Sequence, residues 1–315
     1  MSCYLYLLAV LFIGLSATLP AQRRLSVGEH FAPVNGAEIY YTVRGSGPVC
    51  LVPSPGWGPS VDYLANTLAP LEAYFTLVYY DTRLSGRSTG PPDPAFYTFR
   101  HLMEDMDSLR AYLEQPRVWL LGHSAGGFQV LNYGINHSNR LHGIIAITPL
   151  AGRDSLDIAR YTQGVLGKQG REDFQTIGPI FLGQDTTPYK TSEWLHRTLP
   201  FFFHDPRYLD SIVQNIGTPL SDRAADNTRT SHFSEEILFD DLHRITVPTL
   251  VISGDDDFLS DYVSQSYRIV AAIPRANEVV IRDAGHFPWI EQADEFYERT
   301  FRWLELQGLQ RLDHR

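Results

Sequence analysis

Residues 118–133 constrain the fold of this chain more than any other stretch. Val118 to Leu121 is a short apolar run, the pattern of a strand covered on both faces. It leads into Gly122-His123-Ser124-Ala125-Gly126-Gly127 and then into an amphipathic run from Phe128 to Tyr133. A serine with glycine two residues to either side, at a strand-to-helix turn, is the G-x-S-x-G nucleophile elbow. The backbone at the serine is held in a strained conformation so that its hydroxyl stands clear. Side chains at the flanking positions would collide with the neighbouring strand and helix, and glycine removes the collision.

Strand and helix patterns alternate around the elbow. Gly28 to Pro33 and Ala37 to Val43 are separated by Asn35-Gly36, a hairpin signal. Val49 to Val52 reads as a buried strand that ends in Pro53-Ser54-Pro55-Gly56-Trp57-Gly58-Pro59-Ser60. Helical stretches are expected over Val61 to Tyr74 and Phe99 to Glu114, with Pro116 as the stop, and strands over Phe75 to Tyr80 and Leu141 to Ile147. This order implies right-handed βαβ units in a mostly parallel sheet, with the opening hairpin as an antiparallel edge. From about Gly152 to about Asp240 the strand pattern stops, and prolines, short helical runs and clustered aromatics take over, among them Trp194 and Phe201-Phe202-Phe203. Strands resume at Thr249 to Ser253 and Glu278 to Ile281, and an amphipathic helix from Ala293 to Leu306 closes the chain. The expected division is a core over 25–151 and 241–315 with a helical cap inserted at 152–240.

Composition narrows the function. With 315 residues, 43% apolar and 20% charged, the chain has the make-up of a globular protein with a sizeable core. A formal net charge of −10 leaves no basic stripe to displace counterions from phosphates, so a nucleic-acid partner is not expected. Cys3 to Leu19 is almost unbroken in its apolar character but short for a bilayer span. It reads as a secretory signal within residues 1–21, cut after Ala21 or near Ala17, which implies a secreted or periplasmic protein. No Lys or Arg precedes the run, so an uncleaved anchor is the alternative, and only that form would tie the chain to a membrane. Of the two cysteines, Cys3 falls in this segment and Cys50 lies alone on a core strand. Neither a disulfide framework nor a Cys-based metal site can be built.

A serine nucleophile needs a base in reach and a group to orient that base. Two later turns, each after a strand, supply them: Gly254-Asp255-Asp256-Asp257 and Asp283-Ala284-Gly285-His286-Phe287-Pro288. In a parallel sheet the strand ends share one edge, so Ser124, one of these acids and His286 can converge. His123, inside the elbow, is expected to pack rather than react.

On Gly122 to Gly127, Asp81 to Ser88, Gly254 to Asp257, and Gly285-His286 with Glu291 following, the sequence from about Val27 onward resembles the α/β-hydrolase family. Within it, the chain is similar to the capped proline iminopeptidase-like and esterase-like branches. The resemblance implies an α/β fold with a mostly parallel sheet flanked by helices. It also places the triad acid three residues after the glycine, which favours Asp257 and leaves Asp255 and Asp256 as fallbacks. The roles it implies are Ser124 as nucleophile, His286 as base and then acid, and Asp257 as the residue that fixes the histidine tautomer. The turn Asp81 to Ser88 is implied to be structural, with Leu84 where the family has glycine after the arginine, so a local difference is expected there.

The backbone N–H of Ala125, next after the nucleophile, is the expected first oxyanion donor. The second is expected from Gly56 or Trp57, because Pro55 has no N–H. Relatives of the peptidase type carry His-Gly-Gly-Pro-Gly in place of Ser54 to Gly58 and a Trp in place of Ala125. Trp57, Trp194 and Phe202 are the expected substrate contacts. These residues point to a serine hydrolase acting on a small to medium ester or amide, with neither cofactor nor metal implied. Two alternatives remain. One is an aminopeptidase in which Glu193, Glu235 or Glu236 would hold the ammonium of a short peptide. The other is a non-catalytic binding member of the fold.

Overall fold

A computed structural model describes residues 25–230 and 237–312. The expected signal segment, Glu235 and Glu236 lie outside the described residues. Eight strands form one sheet: β1 (Gly28–Val34), β2 (Ala37–Gly45), β3 (Val49–Pro53), β4 (Thr76–Tyr80), β5 (Val118–His123), β6 (Leu141–Ile147), β7 (Thr249–Gly254) and β8 (Ala276–Ile281). Their order across the sheet is β1-β2-β4-β3-β5-β6-β7-β8. β1 and β2 pair antiparallel, as do β2 and β4, and every later pairing is parallel.

Burial along the strands explains why their sequences differ. β3, β5 and β7 are buried at every position, so their sequences run apolar without alternation. β1 alternates between exposed and buried towards its end, as an edge strand does. Helices α1 (Asp62–Thr67), α2 (Phe99–Tyr112) and α3 (Ala125–His137) belong to the first half of the chain, and α9 (Tyr267–Ala272), α10 (Pro288–Glu291) and α11 (Ala293–Leu306) to the second. One apolar layer joins Leu102 and Met106 of α2 and Leu131 of α3 to Leu51, Leu120 and Val251 of the sheet. The other joins Leu64 of α1 and Trp303 and Leu304 of α11 to Cys50, Leu121 and Ile252. Alternate residues of each strand therefore face opposite layers, and the sheet is the middle of a three-layer sandwich.

Between β6 and β7 the chain runs, among the described residues, through α4 (Ser155–Gly167), α5 (Phe174–Phe181), α6 (Thr191–Thr198), α7 (Leu209–Val213) and α8 (Asp222–Thr230). The helix expected over Val61 to Tyr74 is broken instead. α1 stops at Thr67 and a 3₁₀ turn spans Ala69–Ala73 with Pro70 near its start. Proline has no N–H to give to a carbonyl four residues back and its ring crowds that carbonyl, which disfavours a regular α-helix through Pro70. At the other expected helix the chain leaves before Pro116: α2 ends at Tyr112 and Glu114 has φ 56°.

The turn Asp81 to Ser88 fastens the strand edge to the helices. Asp81 accepts the backbone N–H of Val61 at 2.7 Å and that of Arg87 at 2.8 Å. Leu84 takes φ 61°, the left-handed region that costs a non-glycine residue about 1–2 kcal/mol. Arg83 grips Asp105 of α2 through two hydrogen bonds of 2.6 Å, and Asn35 of the first hairpin gives a third to the same carboxylate. Burial nonetheless outweighs Arg83 and holds the Asp105 carboxyl above its ordinary value. Such a pair adds little net stability, but removing one partner strands the other charge in the interior. Asp105→Ala is therefore expected to lower the unfolding free energy by about 3–5 kcal/mol, measured by urea denaturation. A loss below about 1 kcal/mol would mean that Arg83 finds solvent instead.

Candidate active site

The strand order reverses at β3, which has β4 on one side and β5 on the other. Ligands in open α/β sheets gather at the carboxyl ends of the strands beside such a point. The loop after β3, the elbow after β5 and the turns after β7 and β8 all emerge on that edge.

Ser124 sits between β5 and α3 with φ 57° and ψ −122°, a backbone state of the kind that costs about 1–3 kcal/mol and persists only where the surroundings impose it. Its N–H is tied to the carbonyl of Ile147 at 3.0 Å. A Cβ on Gly122 would lie 2.2 Å from the carbonyl oxygen of Gly126, so the tightness of the turn requires glycine there. Ala125 opens α3, and its N–H is one of those that a helix cannot satisfy internally.

His286 donates from Nδ1 to Asp257 Oδ2 at 2.7 Å. That bond leaves Nε2 as the lone-pair nitrogen of the ring. Asp257 is itself fixed, since its Oδ1 accepts the N–H groups of Leu259 at 2.9 Å and Ser260 at 3.1 Å. Its two neighbours are engaged elsewhere. Asp255 accepts from the N–H of Ala284 at 3.3 Å, and Asp256 takes Lys168 Nζ at 2.8 Å and His204 Nδ1 at 3.2 Å.

Ser124, Ala125 and His286 line one cavity of about 460 Å³, together with Trp57, Trp194 and Phe202. Asp257 stands behind His286 and is not part of the wall. Gly56 is also absent from the wall; its carbonyl accepts the buried hydroxyl of Tyr97, which fixes the loop that carries Trp57. The inserted helices form much of the far wall, including Leu195, Leu199 and Ile212. Phe202 lies 5.7 Å from the His286 ring, centroid to centroid, and stacks on Phe258, the residue after Asp257.

Several supporting residues have roles that their sequence context does not reveal. His123 is buried, donates from Nε2 to the carbonyl of His286 at 2.9 Å, and accepts at Nδ1 from Tyr63, whose hydroxyl is 2.8 Å away. Burial, then the nearby His286, hold its pKa well below the ordinary imidazole value, so it stays neutral and can act as both donor and acceptor. Thr148 gives a second hydrogen bond to the His286 carbonyl at 3.2 Å. On the other side of the residue, the His286 N–H goes to the carbonyl of Phe202 at 2.7 Å. Gly285 must be glycine for that contact, since a Cβ there would come within 2.3 Å of the same oxygen. Glu291 has its carboxyl raised by burial and accepts the N–H of Gly285 at 2.7 Å and that of Asp205, in the inserted segment, at 2.9 Å.

A family model described as alpha/beta hydrolase fold matches residues 48–293, and the chain belongs to that family. Among curated proteins it is 26% identical to a proline iminopeptidase of Saccharolobus solfataricus, over 87% of this chain and 91% of the relative. It is 24% identical to a putative carbamate hydrolase, RutD, of Pantoea ananatis, over 86% of this chain and 94% of that one. Among solved structures, the enol-lactonase from Burkholderia xenovorans LB400 matches with a TM-score of 0.66 and 24% identity, covering 88% of this chain and 100% of that one. That likeness is one of fold. The family and the hydrolase names of its relatives support hydrolase activity.

Glu291→Ala removes the acceptor of two backbone N–H groups inside the protein. A loss of about 2–4 kcal/mol in unfolding free energy is expected, with Glu291→Gln intermediate because it keeps one oxygen. Unchanged stability in both variants, measured by urea denaturation, would mean that water replaces the carboxylate.

Proposed function

We propose that the protein is a serine hydrolase that cleaves a carboxylic ester through an acyl-enzyme on Ser124. The observation that carries this reading is the Nδ1 bond of His286 to Asp257, with the ring opening onto the same cavity as the strained Ser124. His286 Nε2 takes the Ser124 proton as the hydroxyl oxygen attacks the ester carbonyl, and then gives it to the departing alcohol oxygen. Water repeats the sequence on the acyl-enzyme, so that one ester and one water yield an acid and an alcohol. Asp257 fixes the tautomer and favours the imidazolium that forms in between. The N–H of Ala125 and one donor from Gly56 or Trp57 meet the oxyanion.

A second reading, release of an N-terminal residue from a short peptide, is favoured by the curated relatives named proline iminopeptidase. The walls of the cavity weigh against it. An N-terminal ammonium removed from water needs a carboxylate, and none lines the cavity among the described residues. Glu193 is exposed and accepts the N–H of Lys190 at 3.2 Å at the start of α6.

A fluorophosphonate probe is expected to label wild-type protein and not Ser124→Ala. The same substitution is expected to lower kcat on p-nitrophenyl esters roughly a thousandfold or more. Near-normal turnover in Ser124→Ala would overturn the assignment, absence of labelling in the wild type would make this a binding member of the fold, and faster release from a prolyl-arylamide than from esters would make it a peptidase. Residues 1–21 are proposed to be an export signal, so the mature protein is expected to begin at Gln22 or near Thr18 by N-terminal sequencing. A membrane-bound chain that retains Met1 would make the segment an anchor.

A further inference from the structure

Arg153 is the one permanently charged side chain on the wall of the cavity among the described residues. It stands in the segment that leaves β6 and enters α4, opposite walls that are otherwise apolar apart from a few hydroxyls and imidazoles. Several contacts hold it ready. Nη1 donates to Asp157 Oδ2 at 3.2 Å, and the guanidinium carbon lies 5.0 Å from the centre of the Tyr161 ring. Among the described residues this is its one hydrogen bond, and a third of the side chain stays exposed. Asp157 is its counter-ion from behind the wall: it is buried, does not line the cavity, and also accepts from Ser264 and Gln265.

The backbone beside Arg153 is equally constrained. The buried side chain of Gln265 accepts the N–H of Ala151 at 2.8 Å through Oε1 and donates from Nε2 to the carbonyl of Gly152 and to Asp157, both at 2.7 Å. Gln265 belongs to a π-helical turn, Tyr262–Ser266, a rare geometry that recurs at functional sites. A guanidinium whose backbone, ring contact and counter-ion are all fixed has already lost the freedom that binding would otherwise remove, which is the condition for recognising an anion at low cost.

We propose that the ester substrate carries a carboxylate remote from the scissile bond and that Arg153 holds it. This rests on the hydrolase reading of Ser124. Guanidinium to carboxylate bonds are among the strong, charge-assisted ones, and in a cavity with apolar walls few waters compete for either partner. The same guanidinium repels an ammonium, so a carboxylate-bearing ester and an N-terminal amine are sorted by one side chain.

The test compares matched pairs in which a methyl ester replaces the carboxylate, each read by cleavage of its aryl ester: the p-nitrophenyl half-ester of adipic acid against its methyl diester, and 4-acetoxybenzoate against methyl 4-acetoxybenzoate. The first pair puts the carboxylate on the acyl side and the second on the alcohol side. In at least one pair the anionic member is expected to show a kcat/KM about tenfold or more above the neutral one. Arg153→Gln is expected to lower kcat/KM for that anionic ester by about ten- to a hundredfold, to change the neutral one less than about threefold, and to leave fluorophosphonate labelling intact. Arg153→Lys, which keeps the charge without the fork, is expected to recover part of the loss. A wild-type protein that prefers the neutral member of both pairs overturns the proposal, and so does a variant that loses both members equally. Labelling of Ser124 with no charge preference removes the proposal and leaves the hydrolase reading standing; absence of both labelling and turnover removes the hydrolase reading itself.

Discussion

The arrangement around the site depends on how the backbone of one residue is held. The N–H of His286 is bonded to Phe202 in the inserted helices, and its carbonyl to His123 of the elbow strand and to Thr148 beyond β6. The imidazole is tied at Nδ1 to Asp257 after β7. Four separate segments therefore meet on a single residue, and each bond is buried, where an unmet partner would cost about 1–3 kcal/mol. Turning the ring breaks its bond to Asp257, and shifting the residue as a whole breaks the backbone bonds as well. That rigidity suits the proton transfer proposed for His286, because a displacement of an ångström is enough to lower a reaction rate greatly.

Holding His286 so tightly requires a neighbour that never competes with it for charge. His123 lies 4.7 Å from His286, centroid to centroid, and an imidazolium there would oppose the one that the proposed mechanism forms on His286. Burial, and then the nearby His286, hold His123 below the ordinary imidazole value, and the neutral ring accepts from Tyr63 at one nitrogen and donates to the His286 carbonyl at the other. Glu291 does comparable work on the preceding peptide, joining Gly285 to Asp205 of the inserted segment. The inserted helices are thus more than a lid on the cavity: they supply acceptors and donors to the turn that carries the histidine.

Much of this could be read from the sequence, and the parts that could not share a physical cause. The strands were legible because β3, β5 and β7 are short apolar runs closed by glycine or proline turns, and the elbow was legible because close backbone approach demands glycine at Gly122. The parallel order followed from alternation alone, and the structure has it. What local pattern could not supply was which side chains bond to one another once distant turns share one edge of the sheet. The choice of Asp257 among three adjacent aspartates came from family resemblance and not from spacing. Tyr63, His123, Glu291 and Gln265 act through partners in other elements, and their spacing within their own segments is unremarkable. The helix over Val61 to Tyr74 is broken for a local reason, since Pro70 lacks the N–H for one of the α-helical bonds that the apolar spacing suggests.

Two kinds of structure therefore meet in one cavity, and they constrain different things. The reacting groups are held by main-chain geometry at the edge of a parallel sheet, where register fixes where each turn emerges and little can drift. The remaining walls come from the inserted helices and the segment around Arg153, where side chains decide what fits. In the proposed function, a change in the first kind is expected to alter the chemistry for every substrate, whereas a change in the second is expected to alter which substrate is held. Gln265 links the two, since its π-helical turn follows shortly after Asp257 and its amide fixes the backbone leading to Arg153. The position of the charge relative to the histidine is therefore set by the same short stretch of chain, Asp257 to Ser266. In the proposed function, selectivity and reactivity are therefore coupled through backbone and not only through a shared cavity.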